Sequence, residues 1–215
     1  MESLSVSKKQ LEIALEYVPP HSNPKIQLEQ YTITSQTAAE MLYIAGKLHD
    51  DIRGKRVIDL GCGTGRLAIG AALLNAKEVV GVDLDPMAVR IARQSSEKMN
   101  LQKRVQWIAS DLEGVAGRFD TVIQNPPFGV RRRGADRAFI RKALAIGGVV
   151  YSLHKSGGRN RAFIKSLVSR HKATITDLYQ MTLVIPHTFR FHSKKEHVVP
   201  VDLYRVVTHA TERQQ

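Results

Sequence analysis

Five residues, Gly61-Cys62-Gly63-Thr64-Gly65, set the tightest limit on what this chain can fold into. They separate a short apolar run, Arg56-Val57-Ile58-Asp59-Leu60, from a longer one, Leu67-Ala68-Ile69-Gly70-Ala71-Ala72-Leu73-Leu74. The first reads as a buried parallel strand and the second as a buried helix. Glycines between them let the backbone turn tightly and approach a ligand to contact distance, where a Cβ would collide. Strand, glycine turn and helix open a βαβ unit with a nucleotide-type cradle at the end of the strand. The spacing Gly-x-Gly-x-Gly departs from the Gly-x-Gly-x-x-Gly of pyrophosphate-binding loops, and Asp59 just before it would repel a pyrophosphate. A carboxylate there suits a cationic, amino-acid-bearing ligand, which makes Asp59, Gly61, Gly63 and Gly65 cofactor-binding candidates.

Further strands follow in register. Glu78-Val79-Val80-Gly81-Val82 ends in Asp83-Leu84, about twenty residues past the glycine turn, where an acidic side chain takes both hydroxyls of a ribose. Val105-Gln106-Trp107-Ile108-Ala109 ends in Ser110-Asp111-Leu112, where a carboxylate accepts from an adenine exocyclic amine. Phe119-Asp120-Thr121-Val122-Ile123 is a fourth strand and the run around Val149 a fifth. Helices are expected after Gly65, after Pro86, after Gly134 and over Asn160 to His171, alternating with the strands as right-handed βαβ units. Two more helices, Lys8 to Glu16 and Ser35 to Leu48, precede the sheet. The last two strands, about Ile175 to Ile185 and Val198 to Val207, have no helix between them and pair antiparallel.

The fourth strand leads into Asn125-Pro126-Pro127-Phe128, where open α/β sheets place their active sites. Two successive prolines remove two backbone donors, leaving the carbonyls of Asn125 and Pro126 for other partners. With the Asn125 side-chain oxygen these form a corner of acceptors that grips a planar primary amine, while Phe128 offers a ring face for stacking. If Asn125 Oδ1 and the Pro126 carbonyl take the two hydrogens of an adenine N6, the nitrogen becomes more tetrahedral and its lone pair is freed. No general base is needed first, because the proton becomes acidic only as positive charge develops. An adenine inside a helix cannot reach such a corner, so the target must be unpaired or flipped. The plainer reading is a rigid strand-end turn with one buried aromatic.

Formal charge is +12, which points to a polyanionic partner. Arg131, Arg132, Arg133, Arg137, Arg141 and Lys142 follow the Asn-Pro-Pro-Phe loop directly, and Arg190, His192, Lys194 and Lys195 are interleaved with Phe189 and Phe191, a mixture suited to backbone contact and base stacking. His154 and Lys155, at the end of the fifth strand, are further candidates for RNA contact. Each group also reads as a solvated face. With 43% hydrophobic residues and no repeat or evident linker, the 215 residues read as one domain, 1–50 forming a helical cap over the cofactor site and 51–215 the catalytic sheet core. No apolar stretch suits a membrane span or signal peptide, so a cytoplasmic protein is expected. Cys62 is the only cysteine, which excludes an internal disulfide, and no metal site is expected. A nucleophilic role for Cys62 gives way to that of a small apolar filler in the pocket floor.

Taken in order, the glycine turn, Asp83, Asp111 and the Asn-Pro-Pro-Phe loop resemble an S-adenosylmethionine-dependent methyltransferase. Leu28-Glu29-Gln30-Tyr31, Asp59 to Gly65, Asn125 to Gly129, Ala135-Asp136-Arg137 with Phe139, Val149 to His154, Phe189 to His192 with Lys194 and Lys195, and Val201 to Arg205 carry the resemblance further. Over almost the whole chain it is similar to the archaeal and eukaryotic adenine-N6 methyltransferases of small-subunit ribosomal RNA, the methyltransferase-like protein 5 type. That resemblance implies a Rossmann-like α/β fold, with a seven-stranded, mostly parallel sheet and helices on both faces. It also implies an N-terminal segment over the methionine end of the cofactor, with Gln30, Tyr31 and a threonine hydroxyl contributing. The family's usual Thr-Pro pair is replaced by Thr32-Ile33-Thr34, leaving two hydroxyls to choose from, of which Thr34 is carried forward as the candidate. A small zinc-ribbon activator is the partner implied, beside ribosomal RNA. Two other readings use the same features: a protein-glutamine N5 methyltransferase gripping a side-chain amide, and a cofactor-binding RNA or ribosome-assembly module with little turnover.

Overall fold

A computed structural model describes residues 6–129, 134–186 and 196–209. The expected clusters Arg131 to Arg133 and Phe191, His192, Lys194 and Lys195 lie outside the described residues. The chain runs α1 (Lys8–Glu16), α2 (Ser35–Tyr43), β1 (Arg56–Leu60), α3 (Arg66–Leu73), β2 (Glu78–Asp83), α4 (Pro86–Lys98), β3 (Val105–Ala109) and β4 (Phe119–Gln124). It continues with α5 (Ala135–Ile146), β5 (Gly147–Lys155), α6 (Gly158–Arg170), β6 (Ala173–Pro186) and β7 (Glu196–Thr208). The strands form one seven-stranded sheet in the order β3-β2-β1-β4-β5-β7-β6. Strands β1 to β5 are parallel, and β7 alone runs against its neighbours β5 and β6. The Rossmann-like, mostly parallel sheet with an antiparallel last strand is therefore as expected.

Local signals explain the boundaries. Ser7 and Gln10 close a capping box on α1, Thr34 caps α2 by accepting from the Thr37 amide, and Asp85 caps α4 with Pro86 at its first position. The helix expected to run from Ser35 to Leu48 changes at Ile44 into a π-helical turn, Ile44–Leu48. Gly46 lies in that turn, and a Cβ there would stand 2.9 Å from Leu74 Cδ1.

Alternating strand residues build two cores. Val57, Val79, Trp107, Ile123 and Leu153 pack with helices α1 to α4 on one face. Ile58, Val80, Val122 and Val150 pack with α5 and α6 on the other. In register, Leu60 stands level with Val82 and with Gln124. Gly61, Asp83 and Asn125 are thus the next residues on three adjacent strands, at the edge where all three strands end.

Candidate active site

That edge opens into a cavity lined by Asp59, Gly61, Cys62, Gly63, Asp83, Leu84, Asn125 and Pro127 from the strand ends, by Ala135 and Phe139 of α5, and by His21 and residues 27–33. The glycine turn shapes its floor. Gly61 and Cys62 donate their amides to the Val82 carbonyl, and Gly63, at φ +53°, donates to Asp83 Oδ2 at 2.8 Å. Gly65 lies outside the lining; at φ +92° it starts α3, and a Cβ there would meet Trp107 at 2.5 Å.

Two carboxylates dominate the electrostatics. Asp59 is 1% exposed; its Oδ2 accepts from the Ala68 amide at 3.0 Å, while Oδ1 is buried with no hydrogen-bond partner among the described residues. Burial, aided by the nearby Asp83 charge and opposed by the Ala68 hydrogen bond, pushes its carboxyl up to about 8. Asp83 accepts from the Gly63 and Asp85 amides, yet burial still holds its pKa above the ordinary value. Burial first, then both carboxylates, raise the Cys62 thiol well above its usual range, so it stays a protonated filler. Among the described residues there is no cluster that could hold a metal ion.

Residues 18–33 form a strap across the opening, fastened by two residues that sequence reasoning did not single out. Arg66, at the start of α3, donates to the carbonyls of Val18 and Ile33, tying down both ends of the strap. Asp85 accepts from Gln30 Nε2 at 2.9 Å, pairs with His21 Nε2 at 3.2 Å and meets Lys25 Nζ at 3.3 Å. Burial alone would raise the Asp85 pKa, but hydrogen bonds from Gln30, Met87 and Lys25 bring it below the ordinary value. Gln30 therefore sits at the cavity with both polar ends engaged, since its Oε1 also accepts from the Lys25 amide. A helix cap that also anchors a distant segment carries no distinguishing sequence signal, and the only cue for Asp85 was its place before a proline.

At the far side, Tyr31 of the strap donates its hydroxyl to Asn125 Oδ1 at 3.4 Å and stacks on Phe128 at 5.4 Å between ring centroids. Burial, then the Glu29 charge, raises the Tyr31 pKa, so the phenol stays a neutral donor. Among the described residues none donates to the Asn125 or Pro126 carbonyl. Pro126 is itself buried and, like Phe128, is not part of the lining. Beneath the loop, Gln124 Nε2 donates to Ser152 Oγ, which is 2.6 Å from His154 Nε2, a buried polar chain that anchors the end of β4.

Several expected residues stand elsewhere. Thr34 faces its own helix as a cap and is not in the lining, where Thr32 stands instead. Asp111 is exposed and closes a turn by accepting from the Gly114 amide, and Leu112 packs on the second core; neither reaches the cavity as it stands. His154 cannot contact RNA: it is 4% exposed, edge-on to Tyr204, and burial depresses its pKa to about 4, leaving it neutral. Both faces of β5 are covered from Val150 through His154, and Lys155, the last residue of the strand, is exposed. Arg137 is exposed on α5, with its guanidinium carbon over the Phe163 ring, 5.4 Å from the centroid.

Known proteins share this arrangement. The methyltransferase small domain model matches residues 36–182. The rRNA N(6)-adenosine-methyltransferase METTL5 of Danio rerio is 37% identical, the match covering 92% of this chain and 97% of the relative. Its Drosophila melanogaster counterpart is 36% identical over 92% and 94%. The crystal structure of PH1948 from Pyrococcus horikoshii superposes with a TM-score of 0.88 at 39% identity, covering 98% of this chain and all of the other. With the glycine turn, Asp83 and the Asn-Pro-Pro-Phe loop gathered at one sheet edge, the chain belongs to the methyltransferase small domain family.

Proposed function

We propose that this protein transfers a methyl group from S-adenosylmethionine to N6 of an unpaired or flipped adenine in RNA, with small-subunit ribosomal RNA as the substrate. The observation that carries this is the meeting of Asn125 Oδ1 with Asp59 and Asp83 in one cavity. The residues fit the cofactor: an unpartnered buried carboxylate oxygen on Asp59 matches an ammonium, and the carboxylate of Asp83 matches a ribose diol. Asp59, Gly61, Gly63, Asp83 and Leu84 would hold it under the strap, with Gln30 and Tyr31 above. Bound there, S-adenosylmethionine supplies an electrophilic methyl on a sulfonium.

The chain's own part is orientation. Tyr31 fixes the Asn125 carboxamide through one lone pair of Oδ1, leaving the other to accept an N6 hydrogen. The free Pro126 carbonyl is the second acceptor of the pair. Phe128, braced by Tyr31, limits how a flat base can enter. No side chain needs to remove a proton before transfer, and the hydroxyl that meets Asn125 Oδ1 is the neutral phenol of Tyr31. Relatives matching nearly the full length of this chain are rRNA adenosine enzymes, so the glutamine reading of the same corner is less supported.

The described helices include none long and apolar enough to cross a membrane. A cytoplasmic setting suits an rRNA substrate. A small zinc-ribbon activator would find apolar surface on either outer strand, where β3 exposes Ile108 and β6 exposes Leu178. The test is to incubate the protein with methyl-labelled cofactor and either rRNA or release-factor fractions, then map the label. N6-methyladenosine in rRNA is the expected product; label confined to protein would refute the reading.

A further inference from the structure

On the face of the sheet away from the strap, α5 and α6 border a second groove of about 710 Å³, lined by Arg137, Arg141, Phe163, Ser166, Arg170 and His171, with Leu167 at its base. We infer that this groove is a track for the RNA phosphate backbone leading away from the catalytic mouth. The inference rests on the RNA reading above.

Its geometry follows from helical spacing. Arg137 and Arg141 are one turn apart on α5, and Phe163, Ser166, Leu167 and Arg170 fall at i, i+3, i+4 and i+7 on α6, so each helix turns one stripe into the groove. No acidic side chain lines it, and all three arginines are exposed. None of the three has a carboxylate partner among the described residues. Arginines meant only to stabilise a helix pair would be expected to find such partners, as Arg161 does with Asp202. Arg137 is instead stacked on the Phe163 ring at 5.4 Å. That cation–π contact leaves the N–H groups of Arg137 for a phosphate, which a bidentate fork fits well.

The connection to the mouth is direct. Ala135 and Phe139 on α5 line the cofactor cavity, while Arg137 and Arg141, two residues on from each, face the groove. One helix thus walls both, and it begins just after the Asn-Pro-Pro-Phe loop. A strand with its target adenine at Asn125 passes the α5 N-terminus and meets arginines in succession, ending at Arg170 and His171 by the C-terminal end of α6.

The test measures binding of an rRNA fragment containing the target region, as log Kd against log salt, for the whole protein and for the double variants Arg141→Gln/Arg170→Gln and Arg141→Lys/Arg170→Lys. Losing two phosphate contacts should flatten the slope by about 1.5 and weaken binding about tenfold at low salt, whereas the lysine pair keeps most of the slope. Affinity for S-adenosylhomocysteine, read on the same samples, reports whether the cavity is intact. A glutamine pair with the parent slope and affinity overturns the track. Parent protein that binds with a groove-dependent slope but forms no N6-methyladenosine refutes the proposed reaction and leaves the track standing; parent protein without RNA affinity overturns both.

Discussion

Asp59 ties the electrostatics of the cavity to ligand binding, and Asp59→Asn tests the link. Burial places its carboxyl at about 8, so in the ligand-free protein it is about ten parts in eleven protonated at pH 7. A cationic amino group seated beside Oδ1 needs the carboxylate, so binding must expel that proton. Asp59 itself should release about 0.9 proton at pH 7, about 0.5 at pH 8 and about 0.1 at pH 9, less whatever proton the ligand's amine takes up to bind as the cation. Affinity should climb with pH by at most tenfold per unit and then turn over as the ligand's own amine loses its proton. In Asp59→Asn the rising limb disappears, and losing a charge-assisted hydrogen bond costs about 1.5–3 kcal/mol, or roughly 10- to 150-fold in Kd. Titration calorimetry with S-adenosylhomocysteine in phosphate and in Tris, buffers of different ionisation enthalpy, counts the protons. Equal heats in the two buffers for the parent protein at pH 7, or unchanged release in Asp59→Asn, would refute the reasoning.

The same shift has a stability sign. A carboxyl whose folded pKa lies above its unfolded value contributes stability fully present below about pH 4 and lost as pH rises through about 8. Ligand-free Asp59→Asn should therefore melt higher than the parent at pH 9, which a thermal scan checks.

Asn125→Ala should lower the methyl-transfer rate about 10²–10³-fold, the scale of losing a transition-state acceptor, while S-adenosylhomocysteine affinity stays within a few-fold; equal loss of both would make Asn125 structural. Tyr31→Phe removes only the hydroxyl that fixes Asn125 Oδ1 and should slow transfer about tenfold, read as a change in kcat with little change in cofactor Kd. Asp85→Ala removes both the α4 cap and the strap's anchor, so it should cost about 1–2 kcal/mol of stability and quicken cofactor release in stopped-flow chase. His154, its pKa depressed to about 4, contributes stability present above about pH 6.5 and lost as pH falls toward 4; urea melts of His154→Gln should show a shallower acid limb, with RNA affinity unchanged.

What the sequence made legible divides along a physical line. Strands β1 to β5 and the two antiparallel strands were readable because parallel-sheet interiors demand apolar runs and because a missing helix forces a hairpin-like return. Asp59, Asp83 and Asn125 were readable because a strand end fixes where the next side chain must be, whatever the loop beyond it does. Where a loop intervenes, the inference weakens: Asp111 follows β3 by two residues and turns away to the Gly114 amide, and Thr34 spends its hydroxyl on the α2 amides while Thr32 reaches the cavity. His154 failed for another reason, since residue type suggested a contact while a central strand covered on both faces buries every residue from Val150 to His154 and exposes only Lys155 at its end. Arg66 and Asp85 were hidden because their partners, the Val18 and Ile33 carbonyls and the side chains of His21, Lys25 and Gln30, lie 33 to 64 residues away in sequence. A strap held at both ends by one arginine, in the middle by one carboxylate and at its far side by Tyr31 on Asn125 must break all of these contacts to lift, so residues away from the reacting atoms help set the cofactor's residence time.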